Sequence, residues 1–199
     1  MDLELSDVLD YSSSVRPCSG ESLSGDAVVI KQLEQGLFLA IVDVLGHGPE
    51  AHELTHVIAD YLTRYGAPNV CVVLSHLHRH LKGSRGAAVG LCAIDTATCR
   101  VDYAGIGNTS IRRFGKTETR LVSQDGVLGQ NMRTPRLQTL QMEPGDLIVL
   151  YTDGVSDRFS SDDYPGVLRH QPAQVAHNIV QRFGKAHDDA ACIAVRCNA

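Results

Sequence analysis

Three runs dominate the hydrophobic pattern of the chain: LFLAIV (37–42), LIVLY (147–151) and AACIAV (190–195) are apolar at nearly every position. Short, β-branched runs of this kind predict strands covered on both faces, as in a sheet sandwich with helices outside. DAVVIK (26–31) and LFLAIVD (37–43), joined around LEQG, predict a hairpin. Pro49 to about Tyr65 reads as a helix ended by Gly66 and Pro68, and residues 70–81 as a second helix stopped by Gly83. From residue 86 the texture changes to AAVGLCAI, RVDYAGI, SIRRF, RLQTLQM and DLIVLY, a succession of strands. PAQVAHNIVQRF (172–183) is a late helix, and AACIAVRC closes the chain as a strand. Strands, then helices, then more strands predict an α+β fold with mainly antiparallel sheets covered by helices. No repeat or linker interrupts the sequence, so one domain is expected over residues 1–199.

The apolar runs are bordered by carboxylates. LFLAIV runs into Asp43, LIVLY into Thr152-Asp153-Gly154, AACIAV follows Asp188-Asp189, and DAVVIK begins with Asp26. A hairpin centred on Glu34-Gln35 places Asp26 opposite Asp43, and directly opposed like charges destabilise a sheet. Any one of these aspartates alone is an ordinary turn residue. Gathered at one rim, they require protonation or a neutralising cation. An all-oxygen, carboxylate-rich site suits Mg²⁺ or Mn²⁺ rather than zinc. Two such ions about 4 Å apart can share a carboxylate and hold a water for in-line attack on phosphorus. Gly46, Gly48 and Gly154 permit tight turns beside the strand ends.

Composition narrows the function classes. The 199 residues carry a net charge of −5, which leaves no basic footprint for nucleic acid or an anionic membrane surface. The acidic N-terminus lacks the apolar core of a secretory signal, and no apolar run approaches a membrane span. The six cysteines (18, 71, 92, 99, 192 and 197) never form a C-x-x-C pair, so they read as reduced thiols of a cytoplasmic protein.

A rival metal motif overlaps the first strand end. His52-Glu53-Leu54-Thr55-His56 spells H-E-x-x-H, the helical pattern of zinc peptidases. With Leu54 at the centre of the apolar stripe, Ala51, Val57, Ile58, Tyr61, Leu62 and Tyr65 face inward. His52 and His56 then look toward solvent. His76, His78 and His80 alternate on a separate helix and spread apart, so a third zinc ligand is missing and a solvated face is the expectation. The Asp162-Asp163 pair reads as loop.

Taken in order, D-V-L-G-H-G (43–48), P-G-D-L-I-V-L-Y-T-D-G-V-S-D (144–157) and D-D-A-A-C-I-A-V (188–195) resemble the metal-dependent protein serine/threonine phosphatases, in their bacterial SpoIIE-like branch. S-G-D (24–26) and A-G-I-G-N (104–108) match further motifs of that branch. The resemblance implies a four-layer αββα sandwich with two ions, Mn²⁺ or Mg²⁺. It implies that Asp43 bridges the ions, that the Val44 carbonyl is a backbone ligand, and that Asp153 and Asp189 hold the second ion. Asp26 becomes a ligand or a holder of metal-bound water. Many members carry a histidine two residues after the bridging aspartate; here Leu45 stands there, so the proton source is either metal-bound water or His47. Arg16 is the candidate for the family's phosphate-binding arginine. Only 36 residues separate Asp153 from Asp189, leaving little room for the flap segment of larger members. A chain of this length resembles the stand-alone RsbX-type members, whose substrates are phosphorylated STAS-domain proteins of the stressosome. The alternatives are a SpoIIE/RsbU-like phosphatase of an anti-sigma-factor antagonist and a non-catalytic phosphoprotein-binding module.

Overall fold

The structure, a computed structural model, describes residues 8–160, 164 and 169–198; the Asp162-Asp163 pair lies outside them. Two five-stranded antiparallel sheets face each other. The first runs in the order β1 (Leu9–Arg16), β12 (Ala190–Cys197), β11 (Leu147–Tyr151), β6 (Ser110–Phe114), β7 (Thr119–Val122). The second runs β10 (Gln138–Gln141), β5 (Arg100–Ile106), β4 (Ala87–Asp95), β3 (Gly36–Val44), β2 (Asp26–Leu33). A small hairpin pairs β8 (Gly126–Val127) with β9 (Asn131–Met132).

Helices α1 (Pro49–Tyr65) and α2 (Val70–His80) cover the second sheet, and α3 (Pro172–Phe183) covers the first. Burial falls into three apolar layers. Phe38, Val42 and Val89 pack against α1 and α2, Leu39, Ile41, Ile148 and Ile193 fill the space between the sheets, and Val149, Cys192 and Ala194 meet α3. This is why the three apolar runs lack polar alternation: their alternate residues enter different cores, and neither set meets water. No disulfide joins any of the six cysteines.

The β2–β3 register is the one the hairpin count predicts, with Asp26 opposite Asp43. Besides the short β8–β9 hairpin, two strands of the sandwich escape the hydrophobic reading. β1 (LDYSSSVR) and β7 are sheet-edge strands with partly exposed, polar sequences, formed by pairing with β12 and β6 rather than by their own apolar content.

The apolar stripe of α1 is also rotated from the expected one. Its buried residues are Ala51, Thr55, Ile58 and Leu62, while Val57 and Tyr65 are 47% and 57% exposed. The cause is Thr55, whose hydroxyl donates to the Gly25 carbonyl at 2.6 Å and to the Ala51 carbonyl at 2.9 Å. A buried hydroxyl with good acceptors turns the helix toward the 24–25 segment.

Candidate active site

Antiparallel pairing brings the acidic termini together. β3 and β11 leave the sandwich at the end where β2 and β12 enter it, so Asp43, Asp153, Asp26 and the Asp188-Asp189 pair share one rim, drawn from both sheets. A cleft of about 210 Å³ opens there, lined by Cys18, Asp43, Leu45 to His47, Asn108, Asp153 and His187 to Asp189. Gly46, at φ 86°, makes the turn out of β3 that a side chain would strain. Gly154 lies so close to the Asp189 carbonyl that a Cβ would overlap it, which explains the glycine in T-D-G.

The electrostatics of the rim are those of crowded acids. Burial, then the charges of Asp153 and Asp188, push the Asp43 carboxyl up to about 7. The proximity of the Asp153 carboxyl adds to the rise, and that of the Asn108 amide opposes it. Burial, then the charge of Asp43, drives Asp26 well above the usual carboxylate range, although the Thr152 hydroxyl donates to its Oδ2 at 2.6 Å. Asp188 is raised by burial and by Asp153, while the Lys185 charge opposes the rise. Asn108 Nδ2 donates to Asp153 Oδ2 at 2.6 Å. Such a set of oxygen donors, each destabilised by its neighbours, fits a hard divalent cation. Among the described residues no three His, Cys, Asp or Glu side chains close into a ready-made cage. Mg²⁺ does not need one, since it keeps several waters and uses one or two carboxylates.

Asp188 and Asp189 play different parts. Asp189 is buried, and both its oxygens already accept backbone N–H groups, Oδ1 from Cys18 and Oδ2 from Gly25, each at 2.8 Å. It ties the 18–25 segment to the start of β12. Asp188, half-buried, is the member of the pair whose charge reaches Asp43 and Asp153. Val44 sits at the end of β3 with its N–H on the Gly25 carbonyl at 3.1 Å. His47 is exposed at the lip, its Nδ1 3.4 Å from Glu21 Oε1. Arg16 does not line the cleft; its Nη2 donates to the Lys185 carbonyl at 2.7 Å and supports that turn from behind. Asp188, Asn108 and Lys185 are the residues that the sequence reading passed over, though the first two stand inside motifs it quoted.

The H-E-x-x-H segment does not build a second centre. His52 is partly buried rather than fully solvated, with Nδ1 2.9 Å from the Ser24 carbonyl, and its Nε2 lies 2.9 Å from His56 Nε2. Nδ1 of His78 accepts the Gly129 N–H at 3.1 Å, and His80 stacks on Tyr61 with ring centres 4.7 Å apart. Those two side chains are committed elsewhere, and His52 serves to fix the segment leading into Asp26.

Two facing antiparallel sheets with outer helices and an acidic cleft at the strand ends define the PP2C class of metal-dependent phosphatases. Residues 34–198 match the family model for stage II sporulation protein E (SpoIIE). The chain belongs to the SpoIIE family and carries its PP2C-type serine/threonine phosphatase domain. Among solved structures it resembles a chain from work on the bacterial stressosome as a modular system adapted to control secondary messenger signalling, with 26% identity, TM-score 0.86, and 94% of this chain and 99% of that one covered. It also resembles RsbX in complex with magnesium (20% identity, TM-score 0.83, 96% of each chain). A third likeness is the catalytic domain of the phosphatase PstP in complex with two manganese ions (18% identity, TM-score 0.71, 96% of this chain and 99% of that one). No curated protein sequence matches the chain. Among the described residues, no helix is long and apolar enough to cross a membrane.

Proposed function

We propose that the protein hydrolyses phosphoserine and phosphothreonine on phosphorylated STAS-domain proteins of a stressosome, with two Mn²⁺ or Mg²⁺ ions held at the acidic rim. The observation that carries the reaction is the convergence of Asp43, Asp153 and Asp188 on one cleft, with Asp43 pushed up to about 7. The likeness over nearly the full length of both chains to the stressosome structure and to RsbX favours the substrate class.

In this reading Asp43, the Val44 carbonyl, Asp153 and Asp188 would hold the ions. The ligand role first given to Asp189 passes to Asp188, because both Asp189 oxygens are engaged by backbone amides. When bound, the ions would offset the carboxylate charge and activate a water for in-line attack on phosphorus. The chain's own residues prepare that event. Asn108 fixes the Asp153 carboxylate, Thr152 orients Asp26 behind Asp43, and Asp189 holds the 18–25 wall of the cleft. His47 stands at the lip, where an imidazole can deliver a proton to the departing serine or threonine oxygen.

The test is hydrolysis of p-nitrophenyl phosphate and of phosphorylated STAS-domain proteins, with and without Mn²⁺. Metal-dependent turnover of both, lost in Asp43→Asn and Asp188→Asn, is the expected result. Turnover that survives both EDTA and Asp43→Asn rejects the mechanism. Turnover of an anti-sigma-factor antagonist but of no stressosome protein moves the substrate to that alternative.

A further inference from the structure

A second concavity of about 300 Å³ adjoins the acidic cleft and shares Asn108 and Asp153 with it. Its charge is of the other kind. The acidic cleft is lined by four aspartates and no lysine or arginine, whereas Arg120, Arg158 and Lys185 line its neighbour. One of these cations is already neutralised: Arg120 Nη2 donates to Asp157 Oδ2 at 2.8 Å and to Ser110 Oγ at 3.1 Å. Asp157 is doubly engaged, since the Tyr151 hydroxyl donates to its other oxygen at 2.7 Å. Arg158 and Lys185 make no side-chain ion pair or hydrogen bond among the described residues, and both line the concavity, with the Lys185 charge also reaching Asp188.

The two cations stand on pinned backbone. Arg112, buried beneath the 157–159 turn, donates to the carbonyls of Asp157 and Phe159 and stacks over Phe159. The Lys185 N–H donates to the Gly154 carbonyl at 2.7 Å, and its carbonyl accepts from Arg16. With Asp157 engaged by Arg120, the lining keeps two further cations on pinned turns against one shared carboxylate, Asp153, and so can receive a negative group.

Resting on the phosphatase reading, we propose that this concavity is a specificity subsite, in which Arg158 and Lys185 receive the carboxylate side chain of an acidic residue flanking the phosphorylated serine or threonine. The shared Asp153 wall puts that flank one or two residues from the phosphoryl group. The subsite therefore selects acidic phosphosequences, while the acidic cleft alone would repel them.

The experiment uses the Mn²⁺-loaded protein and phosphoserine peptides that differ only in their neighbours, acidic, alanine or lysine, on the N-terminal or the C-terminal side. Wild type should favour an acidic neighbour on one side over lysine by about tenfold in kcat/KM, the reach of two partly exposed ion pairs. The difference should lie mainly in KM. Arg158→Glu should invert the acidic-to-lysine ratio, and Lys185→Gln or the milder Arg158→Gln should flatten it. The ratio is read within each variant, so a change in absolute rate does not obscure it. Equal use of all peptides by wild type, or a ratio unchanged in Arg158→Glu, overturns the subsite. If p-nitrophenyl phosphate is turned over while the peptide preference is flat, the subsite falls alone. If neither p-nitrophenyl phosphate nor any peptide is hydrolysed, the phosphatase reading fails and takes the subsite with it.

Discussion

Replacing Asp43 by Asn should stabilise the metal-stripped protein while abolishing its activity. The carboxyl moves from an ordinary 3.8 to about 7, about three units, and each unit is worth about 1.4 kcal/mol. Because the folded-state value is raised, the folded protein binds more protons than the unfolded chain between these limits. The penalty is therefore absent below pH 3.8, grows across the window, and is complete above about 7. The full shift corresponds to roughly 4 kcal/mol, and partial exposure of Asp43 reduces the usable part to about 2 kcal/mol. For a chain of this size that is about 4–8 °C in Tm. The assay is thermal unfolding of both proteins in EDTA at pH 5 and pH 8, repeated with Mn²⁺. Asp43→Asn should melt several degrees above wild type at pH 8, and the gap should shrink to roughly a third at pH 5, where folded Asp43 is protonated but the unfolded chain's Asp43 is already ionised. Mn²⁺ should raise the wild-type Tm and leave that of the variant nearly unmoved. A variant that melts below wild type at pH 8, or a gap as large at pH 5, would show that Asp43 is not held against its own charge.

The two neighbouring aspartates should separate cleanly. Asp188→Asn should lose metal-dependent turnover with its Tm unchanged or raised, whereas Asp189→Ala strands two backbone amides and should cost about 2–4 kcal/mol in denaturant unfolding. His52→Ala should keep Mn²⁺-dependent hydrolysis and lose no more than about 1 kcal/mol, the worth of its bond to Ser24; loss of metal response would restore the zinc reading. Gly154→Ala drives a methyl group into the Asp189 carbonyl, so it should lower both kcat and Tm, seen by steady-state kinetics and calorimetry.

Much of this was legible because apolar content decides where buried strands lie. The hairpin count placed Asp26 against Asp43, and the helix over residues 49–65 has the bounds its proline and glycine announce. What escaped was set by partners distant in sequence. β1, with three consecutive serines, becomes a strand only because β12 offers it a ladder. The facing of α1 depends on Thr55 finding the Gly25 carbonyl, which no helical wheel contains. The different surroundings of Asp188 and Asp189 also depend on distant partners, because the Asp189 oxygens accept the N–H groups of Cys18 and Gly25. Arg16 shows the opposite limit: its residue type suits phosphate, but its guanidinium is spent on the Lys185 carbonyl.

The acidic rim takes Asp43 from one sheet and Asp153 from the other, so any cation shared between them acts as a rivet through the two halves of the sandwich. Chelation would then do more than silence the chemistry. It would leave the layers repelling each other at that edge, and amide hydrogens near residues 43–44 and 152–154 should exchange faster in EDTA than in Mn²⁺, while those at the far edge, near Leu9 and Cys197, keep their pace.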